Sequence, residues 1–292
     1  MSQTALITGA NSGLGYALAQ ALAQAGWRLG LVARDPKRGQ AALEQIRAAT
    51  GNDALELFIA DLVSQQQVHS LAEAVLGRFD ELHLLINNAG TAFRKRHLSP
   101  ERIECALTVN HLAPFLLILL VLDRLKASAP AQVIQVGTRI DTALDLEDWN
   151  WERRPYRMLA AYGQSKLGML HCTFELARRL EGTGVRVNCV FPGVFRSNLG
   201  KTDGGQGFFW QAVDRLIGWA LPRPEQAARG VLRLVFDPSL QGLNGAYLWN
   251  GRPIPAPLQA RDPEMNRRVW ELSLALAGLS EISYLQVASV AT

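Results

Sequence analysis

Short apolar runs alternate with helix-forming stretches along most of the chain, which predicts an α/β domain with a doubly wound, mostly parallel sheet. Three observations carry this expectation. Runs suited to buried strands recur at residues 5–7, 28–33, 55–60, 82–86, 132–136, 185–191 and 245–249. The first run opens directly into a loop with glycines at positions 9, 13 and 15, ahead of a helical stretch. The 292 residues are 48% hydrophobic and 19% charged, enough apolar material for one domain spanning residues 1–292 with both sheet faces covered.

The same composition narrows the partners. Lys and Arg number 30 against 26 Asp and Glu, and this net charge of +4 is scattered, which argues against nucleic acid as a main partner. Cys105, Cys172 and Cys189 stand singly, without paired or metal-ligand spacing. Buried free thiols in a reducing compartment, the cytoplasm, are therefore expected, and no metal. The first strand begins too early and is too short for a leader or membrane anchor. Residues 112–122 form an apolar run of only 11 residues that includes Pro114 and closes at Asp123 and Arg124. A spanning helix needs about 20 residues, so a buried or interface helix is expected, with no transmembrane segment and peripheral membrane contact left open.

In chain order, the first strand ends in Thr8-Gly9-Ala10-Asn11-Ser12-Gly13-Leu14-Gly15. Glycines let the backbone approach a pyrophosphate and leave amides free at a helix N-terminus, whose dipole favours an anion. A plain glycine turn is the alternative. The second strand ends in Ala33 and Arg34. A carboxylate at that place would accept from the ribose hydroxyls and repel a 2′-phosphate, whereas Arg34 would pair with the phosphate, so NADP(H) is preferred over NAD(H). Asp35 beside it offers a ribose acceptor, or belongs to a solvated basic turn. The third strand ends at Asp61-Leu62, and a polar-faced helix is expected over 65–79. The fourth ends in Asn87-Asn88-Ala89-Gly90, amide-bearing and small residues at the carboxyl end of a strand, where open sheets bind ligands. An Asx-bonded turn would read the same way. The basic loop 94–97 is taken as solvated.

A long helix is expected from Pro100. It carries Asn110, a buried amide that needs a backbone partner or belongs to a site, and His111, read as structural. The fifth strand leads to Gly137-Thr138 and then to a segment rich in Asp and Trp that lacks metal spacing. Within the helix expected at 156–180, Tyr162 and Lys166 lie four residues apart and share a face. An ammonium beside a phenol favours the phenolate, which should bring the Tyr162 proton affinity down from about 10 toward working pH and make it a general acid/base. An ordinary exposed pair is the alternative. After the sixth strand come Pro192-Gly193-Val194. A glycine-rich hinge at 204–207 precedes Phe208, Phe209 and Trp210, so the segment 198–222 is either a lid over an apolar substrate or a helix packed on the core. An extension at 253–292 includes a helix expected at 263–277.

Five of these motifs occur together in one order: Thr8-Gly9-Ala10 with Gly13 and Gly15, Asn87-Asn88-Ala89-Gly90, Asn110, Tyr162 with Lys166, and Pro192-Gly193. In this the chain resembles the short-chain dehydrogenase/reductase family over residues 4–253. The segment between Thr138 and Tyr162, together with Arg34, looks most similar to the branch of retinol dehydrogenases and protochlorophyllide reductase. The resemblance implies a Rossmann-type fold of seven parallel strands flanked by helices, with Tyr162 as acid/base. Lys166 would hold the nicotinamide ribose and lower the Tyr162 pKa, and Asn110 would support a water relay to Lys166. It places the cofactor against Gly9, Asn11, Ser12, Gly13, Leu14, Gly15, Arg34, Asp61, Leu62, Asn88, Ala89, Gly90, Pro192, Gly193 and Val194. Gly137-Thr138 departs from the family's usual Ser-Ser, so Thr138 stands where a serine orients the substrate oxygen; its methyl narrows the pocket and fixes the rotamer. Family members often dimerise through the helices corresponding to 100–125 and 156–180, while relatives in this branch are frequently monomeric.

The expected function is hydride transfer between NADP(H) and a lipophilic alcohol or carbonyl. Reduction of an alkene, with Tyr162 protonating carbon, is one alternative, and a non-catalytic NADP(H)-binding sensor is another.

Overall fold

The computed structural model describes residues 2–139, 142–195 and 221–279. In chain order its elements are β1 (Thr4–Thr8), α1 (Gly13–Gln24), β2 (Arg28–Ala33), α2 (Pro36–Thr50), β3 (Leu55–Ile59), α3 (Gln65–Arg78), β4 (Leu84–Asn87) and α4 (Cys105–Ala127). There follow β5 (Ala131–Val136), α5 (Met158–Arg179), β6 (Val185–Phe191), α6 (Pro224–Phe236), β7 (Tyr247–Trp249), β8 (Arg252–Pro253) and α7 (Pro263–Leu276). The expected lid at 198–222 falls almost wholly outside the described residues.

One sheet runs in the order β3-β2-β1-β4-β5-β6-β7-β8. The seven expected strands pair in parallel, and β8, too short to read from the sequence, adds an antiparallel edge through Trp249 and Arg252. The order reverses between β1 and β4, so their carboxyl ends border the crevice where doubly wound sheets take ligands. Both faces are packed, as the apolar strands require. Along β1, Leu6 faces the core beneath α3, α4 and α5, while Ala5 and Ile7 face the core beneath α1, α2 and α6.

Helix α2 was hidden behind the basic turn at 34–38. Asp35 is its N-cap and accepts from the Arg38 amide at 2.9 Å, with Pro36 in the first turn and Gly51 in the left-handed conformation at its end. Helix α4 begins at Cys105 rather than Pro100, because residues 98–104 form a turn closed by the Leu98–Glu104 bridge. The Glu104 carboxylate then caps it, accepting from the amides of Ala106 and Leu107. The whole helix has 23 residues, double the apolar run that stood out in the sequence, and is long and apolar enough to cross a membrane. Its side chains are instead buried between the sheet, α3 and α5. Helix α4 also contains one π turn over Thr108–Leu112.

Helix α7 covers the outer side of α4 and α5. The fully buried Trp270 ring meets Phe115 edge-on at 4.9 Å and lies under the Arg179 guanidinium. Ser273 hydrogen-bonds His111 at 2.7 Å, and Asn266 hydrogen-bonds His171 at 2.6 Å. His111 is thus structural, as expected, and burial drives its pKa down to about 3, so it stays neutral.

Candidate active site

The glycine loop after β1 is shaped by two local necessities. Gly9 and Gly13 have φ of +67° and +55°, which side chains disfavour. At Gly15 a Cβ would lie 2.2 Å from the Gly9 carbonyl oxygen and 2.5 Å from Asn88 Nδ2, so only hydrogen lets α1 sit against the loop. Ser12 is the N-cap of α1 in an extended conformation, yet its side chain makes no capping hydrogen bond and the first turn has no acidic residue. The amides at this end, framed by the half-exposed Asn11, Ser12 and Gly13, are what an anion would meet. Leu14 turns into the core.

The end of β4 is stitched to this loop. Thr8 Oγ1 accepts from the amides of Asn88 and Ala89 at 3.0 and 3.1 Å. Asn88 donates both amide hydrogens, to Thr8 O at 2.9 Å and to Gly9 O at 3.2 Å. Its side chain is therefore a strut between loops, and both its amide hydrogens are already engaged. Asp35 is likewise engaged in capping α2, whereas Arg34 beside it is exposed at the end of β2. Asp61 closes the turn after β3, its Oδ1 accepting from the Val63 amide, with Leu62 buried behind it. Beyond β6, Gly193 takes φ of +88° between the buried Pro192 and the exposed Val194.

Nearer the middle of the edge, α5 delivers Tyr162 and Lys166 from one face. Tyr162 is 9% exposed, and its phenol lies within reach of the Thr138 side chain, whose hydroxyl favours the ionised form. Burial holds the Tyr162 pKa above its usual value, and the Thr138 contact pulls only partly the other way. This reverses the sequence expectation of a lowered value. The reason is where the ammonium goes: Lys166 Nζ donates to Val136 O at 2.8 Å, and Lys166 plays no part in the phenol's shift. Burial brings Lys166 itself down to about 8. A Cβ on Gly90 would stand 3.4 Å from Asn110 Oδ1 and 3.7 Å from Lys166 Nζ, so the β4 end, α4 and α5 converge there. Asn110 is fully buried in the π turn, a feature frequent at functional sites. It accepts from the Thr91 amide and donates to Thr91 O and Ser165 Oγ, all within 2.9 Å. Both its amide hydrogens are taken, so its side chain has none left to give a relay toward Lys166.

The Asp- and Trp-rich segment proves to be a strap across α5. Asp148 accepts from the amides of Glu152, Arg153 and Arg154. Arg154 lies over the Trp151 ring and reaches Asp145 and Gln164. Trp149 packs where Gly168 leaves room, since a Cβ there would fall 2.3 Å from its ring. Sequence reasoning missed Gln164, Tyr247 and Gln259, which hold the backbone after β5. Gln164 donates to Ala143 O at 2.6 Å, Tyr247 to Thr138 O at 2.9 Å, and Gln259 to Thr142 O at 3.0 Å. No local signal marks them, because Tyr247 and Gln259 act across 109 and 117 residues.

The glycine loop and a group made of the buried Tyr162 and Lys166 with the partly exposed Thr138 thus share one sheet edge. Residues 3–205 match the family model described as short chain dehydrogenase. The chain belongs to the short-chain dehydrogenase family. Within it the chain falls in the retinol dehydrogenase-like branch and is an oxidoreductase acting on CH–OH or C=O groups. It is 38% identical over 283 residues to human retinol dehydrogenase 13, covering 95% of this chain and 85% of that one. With human retinol dehydrogenase 11 the identity is 32%, with coverage of 94% and 85%. Among solved structures it is similar to an uncharacterized protein from Mycobacterium paratuberculosis, with a TM-score of 0.76, 28% identity and coverage of 95% and 94%. A short chain dehydrogenase from Burkholderia cenocepacia in complex with NADP gives a TM-score of 0.65, 25% identity and coverage of 85% and 95%. In this short-chain dehydrogenase Gly137, which departs from the family's usual serine, has a packing cause. A Cβ there would fall 2.5 Å from Cys189 Sγ, so the thiol of β6 occupies the side-chain space.

Proposed function

We propose that the chain is an NADP(H)-dependent oxidoreductase that moves hydride between nicotinamide and a lipophilic alcohol or carbonyl carbon, with Tyr162 as acid/base. The observation that carries this reading is that one face of α5 carries the buried Tyr162 and Lys166, with the Thr138 side chain within reach of the phenol. A bound nicotinamide supplies the hydride. The buried phenol keeps its proton at neutral pH and is poised to give it to a carbonyl oxygen held by the Thr138 hydroxyl. Lys166, beside Gly90, is placed to hold a ribose hydroxyl. The exposed Arg34, whose neighbour Asp35 has one carboxylate oxygen engaged in capping α2, supports a 2′-phosphate partner and hence NADP(H). The retinol dehydrogenases among the relatives support a lipophilic substrate. Three buried free cysteines fit a cytoplasmic setting, and the covering of α4 and α5 by α7 favours a monomer over a homodimer.

Tyr162→Phe should lower kcat at least a hundredfold while NADPH binding, followed by its fluorescence, stays near normal. Retention of more than about a tenth of the rate would assign the proton transfer to another group. Since the folded phenol pKa is raised, reduction should be flat through neutral pH and lost only on the alkaline side. Arg34→Ala should raise the NADPH KM about tenfold or more and leave NADH little changed. Equal weakening of both cofactors would remove the 2′-phosphate assignment.

A further inference from the structure

Strand β5 ends at Val136, and its last ladder bond runs from the Gly137 amide to Val190 O. Thr138 follows at the partly exposed rim, where its carbonyl oxygen accepts from the Tyr247 hydroxyl at 2.9 Å. We propose that Tyr247 is a positioning residue for the reaction: by fixing the Thr138 carbonyl it sets the Thr138 hydroxyl against the Tyr162 phenol. This rests on the reading of Tyr162 and Thr138 given above.

The Tyr247 ring is itself held. It is buried in a small cluster with Leu167, Met169, Leu170, Cys189 and Ala260, and it pairs in register with Cys189. Three of those neighbours, Leu167, Met169 and Leu170, lie on α5 within one turn or so of Lys166. The helix that carries the acid/base group therefore also braces the ring that holds its partner. Threonine makes such a grip effective, because a β-branched side chain has few χ1 choices once its backbone is fixed. The bond also lowers the cost of ending the strand, since a buried phenol needs an acceptor in any case. That second role alone would touch folding and leave chemistry unchanged, which gives the test its discrimination.

The experiment uses the full chain and follows NADPH oxidation with a panel of straight-chain aldehydes and retinal, for wild type, Tyr247→Phe, Thr138→Ala and the double variant. Tyr247→Phe is expected to lower kcat about tenfold with the NADPH KM unchanged, and to change kcat less than about twofold when Thr138 is already alanine. The alkaline limb of the rate should move to higher pH in both single variants, since each loosens the Thr138 contact that holds the phenol pKa down. An unchanged kcat in Tyr247→Phe, an equal loss in both backgrounds, or a variant that fails to fold would overturn the proposal and leave the catalytic reading intact. Wild-type rate in Thr138→Ala, or a wild-type chain inert toward the whole panel, would overturn that reading and the proposal with it.

Discussion

The two loops that face each other across the carboxyl edge are kept in shape by opposite means. Residues 9–15, after β1, hold their course mainly through backbone, by two positive φ values and one contact that only hydrogen fits, with a single outside side chain, Asn88, tied to Gly9. The residues after β5 hold theirs through side chains arriving from β7, α5 and the stretch before α7. A loop fixed mostly by its own backbone resists side chains at its glycines and leans on few distant residues. A loop fixed from outside accepts local change yet depends on distant residues.

The sharpest break of this contrast lies at Gly15. Gly15→Ala places a methyl on backbone, which cannot step aside, and should cost about 3 kcal/mol or more and abolish NADPH binding. Urea unfolding and a fluorescence titration read both. Gly137→Ala presses on a side chain, the Cys189 thiol, so about 1–3 kcal/mol should be lost and most of it recovered in Gly137→Ala/Cys189→Ala. Failure of Cys189→Ala to rescue would mean that backbone governs this loop too. The smallest effect sharpens the contrast by pH. Lys166 is held at about 8 when folded, below its ordinary 10.5, so above pH 8 the folded chain sheds a proton that the unfolded chain keeps. Unfolding then takes up a proton, and stability should rise with pH, by about 1 kcal/mol per unit at most. Cys172 and Cys189, raised to about 12 from 9, act in the opposite sense above pH 9, so the window to compare is pH 8 to 9. Lys166→Met should lose that rise; an equal slope in both proteins would show the ammonium to be solvated.

The same contrast explains what could be read without coordinates. Gly9, Gly13, Gly15 and the Tyr162–Lys166 spacing are local constraints, and a local constraint leaves its mark within a few letters. The strand runs were legible for the same reason, down to the shared bounds of β2 and β6. Helix α2 was not, because its single apolar stripe sits behind a proline and a basic turn. The direction of the Tyr162 ionisation was missed because spacing says that Lys166 shares a face with the phenol, but not that Val136 O claims its ammonium. The roles of Tyr247, Gln259 and Asn88 depend on which strands become neighbours, which no short stretch of letters contains.

The π turn at Thr108–Leu112 carries a consequence for insertions and deletions. A π turn holds one residue more than an α turn, and each residue rotates a helix by about 100°. Removing one residue between Thr108 and Leu112 would let α4 close regularly and swing the parts before and after it by about that angle relative to each other. Everything from Ala113 to Leu119 is apolar and buried, but Asp123, Arg124 and Lys126 on the same half lie partly exposed and would be swung off that side by such a turn. Asn110 could not follow, for its three hydrogen bonds would have to be left behind among buried atoms. Length in this helix is therefore counted by one amide as well, and a chain one residue shorter there would be expected to keep its sheet and lose the junction between β4 and the helix that bears Tyr162.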